Sequence, residues 1–245
     1  MIPKISFCAS SIRPNLWANM YNSLLDNTLD WEIVMVGPNQ GVSPGPKFKY
    51  IYATVKPAQC YEIAFRNSLG ELISWTADDA IYTPRAVDIM YNFYKSMGND
   101  KLVTAFRTIE DGRDITEAHR FIGRNPNAPR MAPFGVINSK LFHNLGGYDK
   151  RFLCGQSEND VVMRVLEIGG SVEVCQNAKV LVSHEKAHRS GTKFRTNNFF
   201  IDRAALEEEW MDGKDILSKR KSIVQRFDDI DITTKTQGET GGNQW

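Results

Sequence analysis

Short apolar runs separated by amphipathic stretches set the rhythm of this chain. Residues 4–9, 31–36 (WEIVMV), 50–54, 72–75 (LISW) and 102–106 are apolar or β-branched, and each reads as a buried strand. Between them, residues 14–25, 57–69 and 84–97 have the composition and spacing of helices. Leu16, Met20, Leu24 and Leu25 share one side of the first, and Val87, Met90, Phe93 and Tyr94 recur at helical spacing in the third. Pro14 and Pro84 fit first-turn positions, where a missing N–H does no harm, and Gly70 is placed as a C-terminal stop. The alternation predicts an α/β fold: a mostly parallel central sheet with helices on both faces. The order breaks at residues 107–130, which are polar, charged and turn-rich, and read as a flap inserted over one end of the sheet. It resumes with a strand at 134–137, a short helix from Ser139, a turn at Gly146-Gly147 and a helix capped by Ser157 that Gly169-Gly170 stops. Two strands, 172–175 and 180–182, and a helix over 202–226 follow, and the polar, Gly-rich residues 228–245 read as a flexible tail.

Composition narrows the class. A hydrophobic content of 42% over 245 residues supports a substantial core. Lys and Arg total 30 against 29 Asp and Glu, so no overall field favours nucleic acid or an acidic membrane. No stretch has the length of a transmembrane segment, and MIPKISF is not a secretory leader. Cys8, Cys60, Cys154 and Cys175 are far apart with no C-x-x-C, as expected of reduced core thiols in a cytoplasmic protein.

Three clusters carry candidate chemistry. Asp78 and Asp79 close the strand at 72–75, at the sheet edge where open α/β sheets bind ligands. Adjacent carboxylates there suit a hard divalent cation, although aspartates also suit an ordinary solvated turn. Glu158 and Asp160 fall in the first turn of the Ser157 helix, where the helix dipole favours anions. His184 follows the strand at 180–182, where an imidazole can complete a metal site begun by a carboxylate. His184-Glu185-Lys186-Ala187-His188 also spells the H-E-x-x-H zinc signature, but it follows a β-branched strand and precedes Gly191, not the helical context that signature needs. Neither a Walker-type loop nor G-x-G-x-x-G is present, so a bound pyrophosphate would be held by a metal and by basic side chains. Arg66, Arg120, Arg124, Arg130, Lys193 and Arg195 are candidates, and each also suits a plain surface position.

Taken in order, these segments resemble family-2-type glycosyltransferases of the GT-A fold, a Rossmann-like class of nucleotide-diphospho-sugar transferases. The likeness covers about residues 4–188. It rests on the opening strand with Arg13-Pro14, on Trp31 to Val36, on Ala64-Phe65-Arg66-Asn67 before the acidic strand, and on Asp78-Asp79 at the D-x-D position. It continues through Leu145-Gly146-Gly147-Tyr148-Asp149-Lys150-Arg151-Phe152, Glu158-Asn159-Asp160 with Arg164, and the closing strand that ends in His184. The resemblance implies an inverting, metal-dependent transfer from a nucleotide-diphosphate sugar to a saccharide or similar hydroxyl acceptor. Asp79 and His184 would hold Mg²⁺ or Mn²⁺, with Ser10, Arg13, Asn39, Arg66 and Asp78 at the nucleotide and Glu158 and Asp160 as catalytic acids. Asn39 stands where the family usually has Asp, Ala77 and Ala80 flank a thinned Asp run, and Glu158 replaces the usual catalytic Asp. The implied division is a transferase domain over 1–200, a C-terminal helix over 201–227 that offers a homodimer contact, and a tail over 228–245. A GT-A nucleotidyltransferase and a non-catalytic nucleotide- or sugar-binding relative are the alternatives.

Overall fold

The computed structural model describes residues 2–121, 125–183 and 193–227. His184, His188, Arg124, the tail and the side chains of Lys193 and Arg195 lie outside the described residues.

The apolar runs become the sheet. β1 (Ile5–Ser10), β2 (Trp31–Gly37), β3 (Phe48–Tyr52) and β4 (Leu72–Trp75) lie side by side in parallel, in the order β3-β2-β1-β4. β8 (Gly135–Asn138) then runs antiparallel between β4 and β6 (Leu102–Glu110), and β9 (Ser171–Val182) pairs parallel with β6. Two short strands, β5 (Ile81–Tyr82) and β7 (Arg113–Asp114), complete nine strands among the described residues. Successive side chains point to opposite faces, and both faces are apolar because both are covered. On one, Cys8, Val34 and Ile73 pack under α2 (Pro57–Arg66), α4 (Ser139–Asn144) and α5 (Ser157–Glu167). On the other, Phe7, Ile33 and Met35 pack under α1 (Trp17–Asn22) and α3 (Ala86–Ser96). The expected architecture is therefore present.

Several local expectations change. β6 runs on to Glu110, and the two strands expected at 172–175 and 180–182 are one strand, β9, whose register with β6 shifts at Phe106/Arg107. The flap begins only after Glu110. Ser157 is the first helical residue, not the cap: Gln156 precedes it in the left-handed region at φ 63°, with no side-chain cap bond. The C-terminal helix starts and ends early. α6 spans Lys193–Trp210, across the expected boundary at 200, and the chain then forms a hairpin of β10 (Met211–Asp212) and β11 (Asp215–Ile216) turning at Gly213, φ 59°. The two-residue turn Gly213-Lys214 puts glycine at its first central position, as a tight hairpin turn favours, which explains the break. Gly70 caps nothing: α2 stops at Arg66, and Gly70 is needed because a Cβ there would sit 2.4 Å from Ser6 Oγ. This helix also corrects the expectation for Arg66. α2 leads from the C-terminal edge of β3 back to the N-terminal start of β4, so Arg66 emerges at the edge opposite Asp78 and Asp79, bonded to Glu62 Oε1 at 2.8 Å.

Candidate functional site

Asp78 ties the end of β4 to the loop after β1. Its Oδ2 accepts from Ser11 Oγ at 2.9 Å, Ile12 N at 3.2 Å and Arg13 N at 3.1 Å, and its Oδ1 pairs with the Arg13 guanidinium. Trp17 Nε1 donates to the same Ser11 hydroxyl at 2.7 Å, and Asn39 Nδ2 donates to the Ile12 carbonyl at 2.8 Å. Ser10 sits at the end of β1, beside the buried Cys60 thiol. One connected unit thus joins Ser11, Arg13, Asn39 and Asp78, next to Ser10 in the chain, with Asp78, 2% exposed, turned inward as its anchor. Removing one partner of a buried, multiply bonded ion pair costs about 3–5 kcal/mol. Asp78→Ala is therefore expected to lower the melting temperature by roughly 6–20 °C in a circular-dichroism melt. A shift within 2 °C would show that the loop holds without it.

Asp79 has the opposite surroundings. Its side chain is 6% exposed, and among the described residues neither carboxylate oxygen accepts a hydrogen bond, though Arg13 Nη1 lies 3.2 Å from Oδ2 as an ion-pair partner. A buried carboxylate without donors is costly, and a hard cation with waters or phosphates in its shell removes that cost. The residue thus fits Mg²⁺ or Mn²⁺, although no group of three or more His, Cys, Asp or Glu gathers there among the described residues. Asp79 lines a cavity of about 470 Å³ whose wall also carries Glu158 and Asn159 from α5, His119 and Arg120 from the flap, and Phe199 and Arg203 from α6. On its other side it borders a second cavity, about 420 Å³, walled by Leu16 just before α1, Met20 of α1, Ile81 of β5 and Leu181 of β9.

The two acids of α5 part company. Glu158 is half-buried and faces the larger cavity together with Asp79. Asp160 is fully buried: its Oδ1 accepts from Trp210 Nε1 at 2.9 Å and Arg220 Nε at 3.0 Å, and its Oδ2 from Arg164 Nε at 3.0 Å. The catalytic role expected for Asp160 is thereby corrected, because its oxygens point into the protein interior and both are engaged.

No protein-family model and no curated protein matches the chain. Solved structures do. S. aureus TarS in complex with UDP superposes with a TM-score of 0.58 at 12% identity, over 83% of this chain and 65% of that one. Full-length S. aureus TarS gives 0.62 at 12% identity over 86% and 40%. The mannosyltransferase PcManGT from Pyrobaculum calidifontis, in complex with GDP-Man and Mn²⁺, gives 0.60 at 12% identity over 84% and 64%. The fold is GT-A. The chain spans less than two thirds of the TarS–UDP and PcManGT chains, and no helix among its described residues is long and apolar enough to cross a membrane.

Within this GT-A domain, the C-terminal elements hold the α5 wall in place. Asp202 of α6 is fully buried and accepts from three backbone N–H groups, those of Leu153 at 2.8 Å, Cys154 at 2.7 Å and Gly155 at 2.8 Å. That fixes the approach to Gln156 and hence to Glu158. After β11 the chain returns as a strap. Arg220 reaches Asp149 at 2.7 Å as well as Asp160, and Arg151 bridges Asp149 at 2.9 Å and Glu209 at 2.6 Å. Sequence reading missed Asp202, Trp210 and Arg220, since each acts on residues some 47–71 positions away and carries no local signature.

Proposed function

We propose that this protein is an inverting, metal-dependent glycosyltransferase that moves a sugar from a nucleotide-diphosphate donor to an acceptor hydroxyl. One observation carries the reading: Asp79, a buried carboxylate with no hydrogen-bond donor among the described residues, and a half-buried acid, Glu158, share the wall of one cavity. That TarS is solved with UDP and PcManGT with GDP-Man and Mn²⁺ supports the donor class and the cation. Ser10 at the end of β1, Arg13 on the loop that Asp78 orders, and Asn39, bonded to that loop from beyond β2, would contact the nucleotide. Bound at Asp79, Mg²⁺ or Mn²⁺ would offset charge on the leaving diphosphate. Glu158 takes the proton from the acceptor hydroxyl as its oxygen attacks C1 in line. The new glycosidic C–O bond forms, the C1–O bond to phosphate breaks, and the nucleoside diphosphate leaves with the electron pair. A single displacement inverts the anomeric centre.

The Arg13 contact to Asp79 favours a second reading, in which a fixed guanidinium replaces the cation and the protein binds nucleotide sugars without turnover. A thermal-shift series with UDP, GDP, CDP and dTDP, each with Mn²⁺ and with EDTA, separates the two. The transferase reading expects one nucleotide to raise the melting temperature only with Mn²⁺, and Asp79→Asn to abolish that rise. Saturating ligand at about 100 times its Kd adds roughly 2.7 kcal/mol, a shift of several degrees. A rise equal in EDTA would remove the metal from the mechanism.

A further inference from the structure

Two polar atoms of the flap are buried and have no hydrogen-bond partner among the described residues: His119 Nε2 and Arg120 Nε. Both residues line the cavity that Asp79 and Glu158 share. Folded proteins leave few such atoms unmet, and those that persist call for a ligand or a function. The segment that carries them is braced. His119 O accepts from Met131 N at 3.0 Å, Phe121 N donates to Pro129 O at 2.8 Å, and Arg120 and Arg130 form a β-bridge. Arg120 Nη2 and Arg130 Nη2 both reach Glu117 Oε2, at 3.2 and 2.7 Å. The returning arm is tied to β4, the strand that leads to Asp79, because Trp75 Nε1 donates to Ala132 O at 2.6 Å. The backbone that carries the two unmet atoms is therefore fixed beside the cavity that both residues line.

We propose that His119 and Arg120 read a hydroxyl of the transferred sugar. This rests on the transferase reading above and assigns the cavity's flap wall within it. A hydroxyl both donates and accepts, so it can give its proton to a ring nitrogen of a neutral imidazole while it accepts from the Arg120 Nε–H. Burial pushes the His119 imidazole below its ordinary value, against the raising influence of Glu110, which keeps the ring neutral near pH 7. A site built to bond a hydroxyl discriminates against ligands that lack it, because its buried polar groups are then left unpaired. A nucleoside diphosphate without the sugar gains nothing from this pair.

Calorimetric titration of the full chain in Mn²⁺, with UDP against UDP-GlcNAc and GDP against GDP-mannose, tests the assignment. In the wild type the matching sugar nucleotide binds tighter than its nucleotide. His119→Ala is expected to remove about tenfold of sugar-nucleotide affinity, leave nucleotide affinity unchanged, and leave the melting temperature unchanged or higher. Arg120→Lys keeps the charge beside Glu117 and is expected to show the same selective loss. His119→Asn restores part of it. The wild-type sugar increment falls as pH drops and the ring protonates, and His119→Ala lacks that dependence. Equal loss for sugar nucleotide and nucleotide, or no loss, overturns the assignment while leaving the transferase reading intact. Failure of the wild type to bind any of the four ligands overturns both.

Discussion

Glu158→Gln is expected to lower kcat by about 10²–10⁴-fold, the usual worth of a positioned general base. The exchange keeps shape and removes the charge and with it the ability to take a proton. Because Glu158 is half-buried on the cavity wall and Asp79 is untouched, metal-dependent nucleotide binding should survive, and the melting temperature should move by no more than about 2 °C. The loss should therefore fall on kcat and not on donor affinity. Steady-state kinetics beside a melt and a nucleotide titration check all three. Turnover within a few-fold of wild type would end the assignment, and a matched loss of binding and stability would make Glu158 a structural residue.

The second large effect is on folding. Asp160→Ala leaves Arg164 and Arg220, 3% exposed at their side chains or nearly so, without their shared carboxylate, and leaves the Trp210 N–H unmet. Breaking such a buried network costs about 3–5 kcal/mol, a large share of the 5–15 kcal/mol that holds a typical domain together. A fall in melting temperature of roughly 6–20 °C is expected. If Asp160 were a catalytic acid, the variant would instead melt normally and lose turnover. The same network responds to acid. Burial raises the Asp149 carboxyl, but bonds from Arg151 and the Gln225 N–H outweigh it and hold the group below its ordinary value. Burial also raises Glu209, but Arg151 and Ser222 outweigh it and hold that group below its ordinary value. Groups depressed in the folded state stabilise it fully above their unfolded values, and that stability drains as pH falls through the folded ones. Acid melts should accordingly lose stability below about pH 4, and less so in Asp149→Asn.

What the sequence disclosed follows the reach of each signal. Continuous apolar runs announced β1, β2, β4 and the core of β6, because a strand covered on both faces admits little else. The outer half of β6 stayed hidden: of Arg107, Thr108, Ile109 and Glu110 only Ile109 is apolar, and the run resembles a loop until β9 is there to pair with it. The left-handed Gln156 left no trace, since nothing in a glutamine asks for positive φ. The split between Glu158 and Asp160 was within reach. Two positions apart on a helix means about 200° of rotation, so one cavity cannot claim both. Arg66 was legible in the same way, from the direction of α2 alone. His119 was not, because a histidine in a polar stretch looks like any other until its cavity forms.

The strap fixes when this protein can become itself during synthesis. Arg220 leaves the ribosome 60 residues after Asp160, which it neutralises, and at 5–20 residues per second that is a wait of about 3–12 s. Until then Asp149 and Asp160 lack one of their guanidinium partners, and the α5 wall that presents Glu158 is unfinished. The sheet has its own delay: β4 and β6 cannot be joined before β8 emerges to sit between them. A chain stalled after Glu158 but short of residue 220 would carry every proposed catalytic residue and still lack the frame that points Glu158 at its substrate.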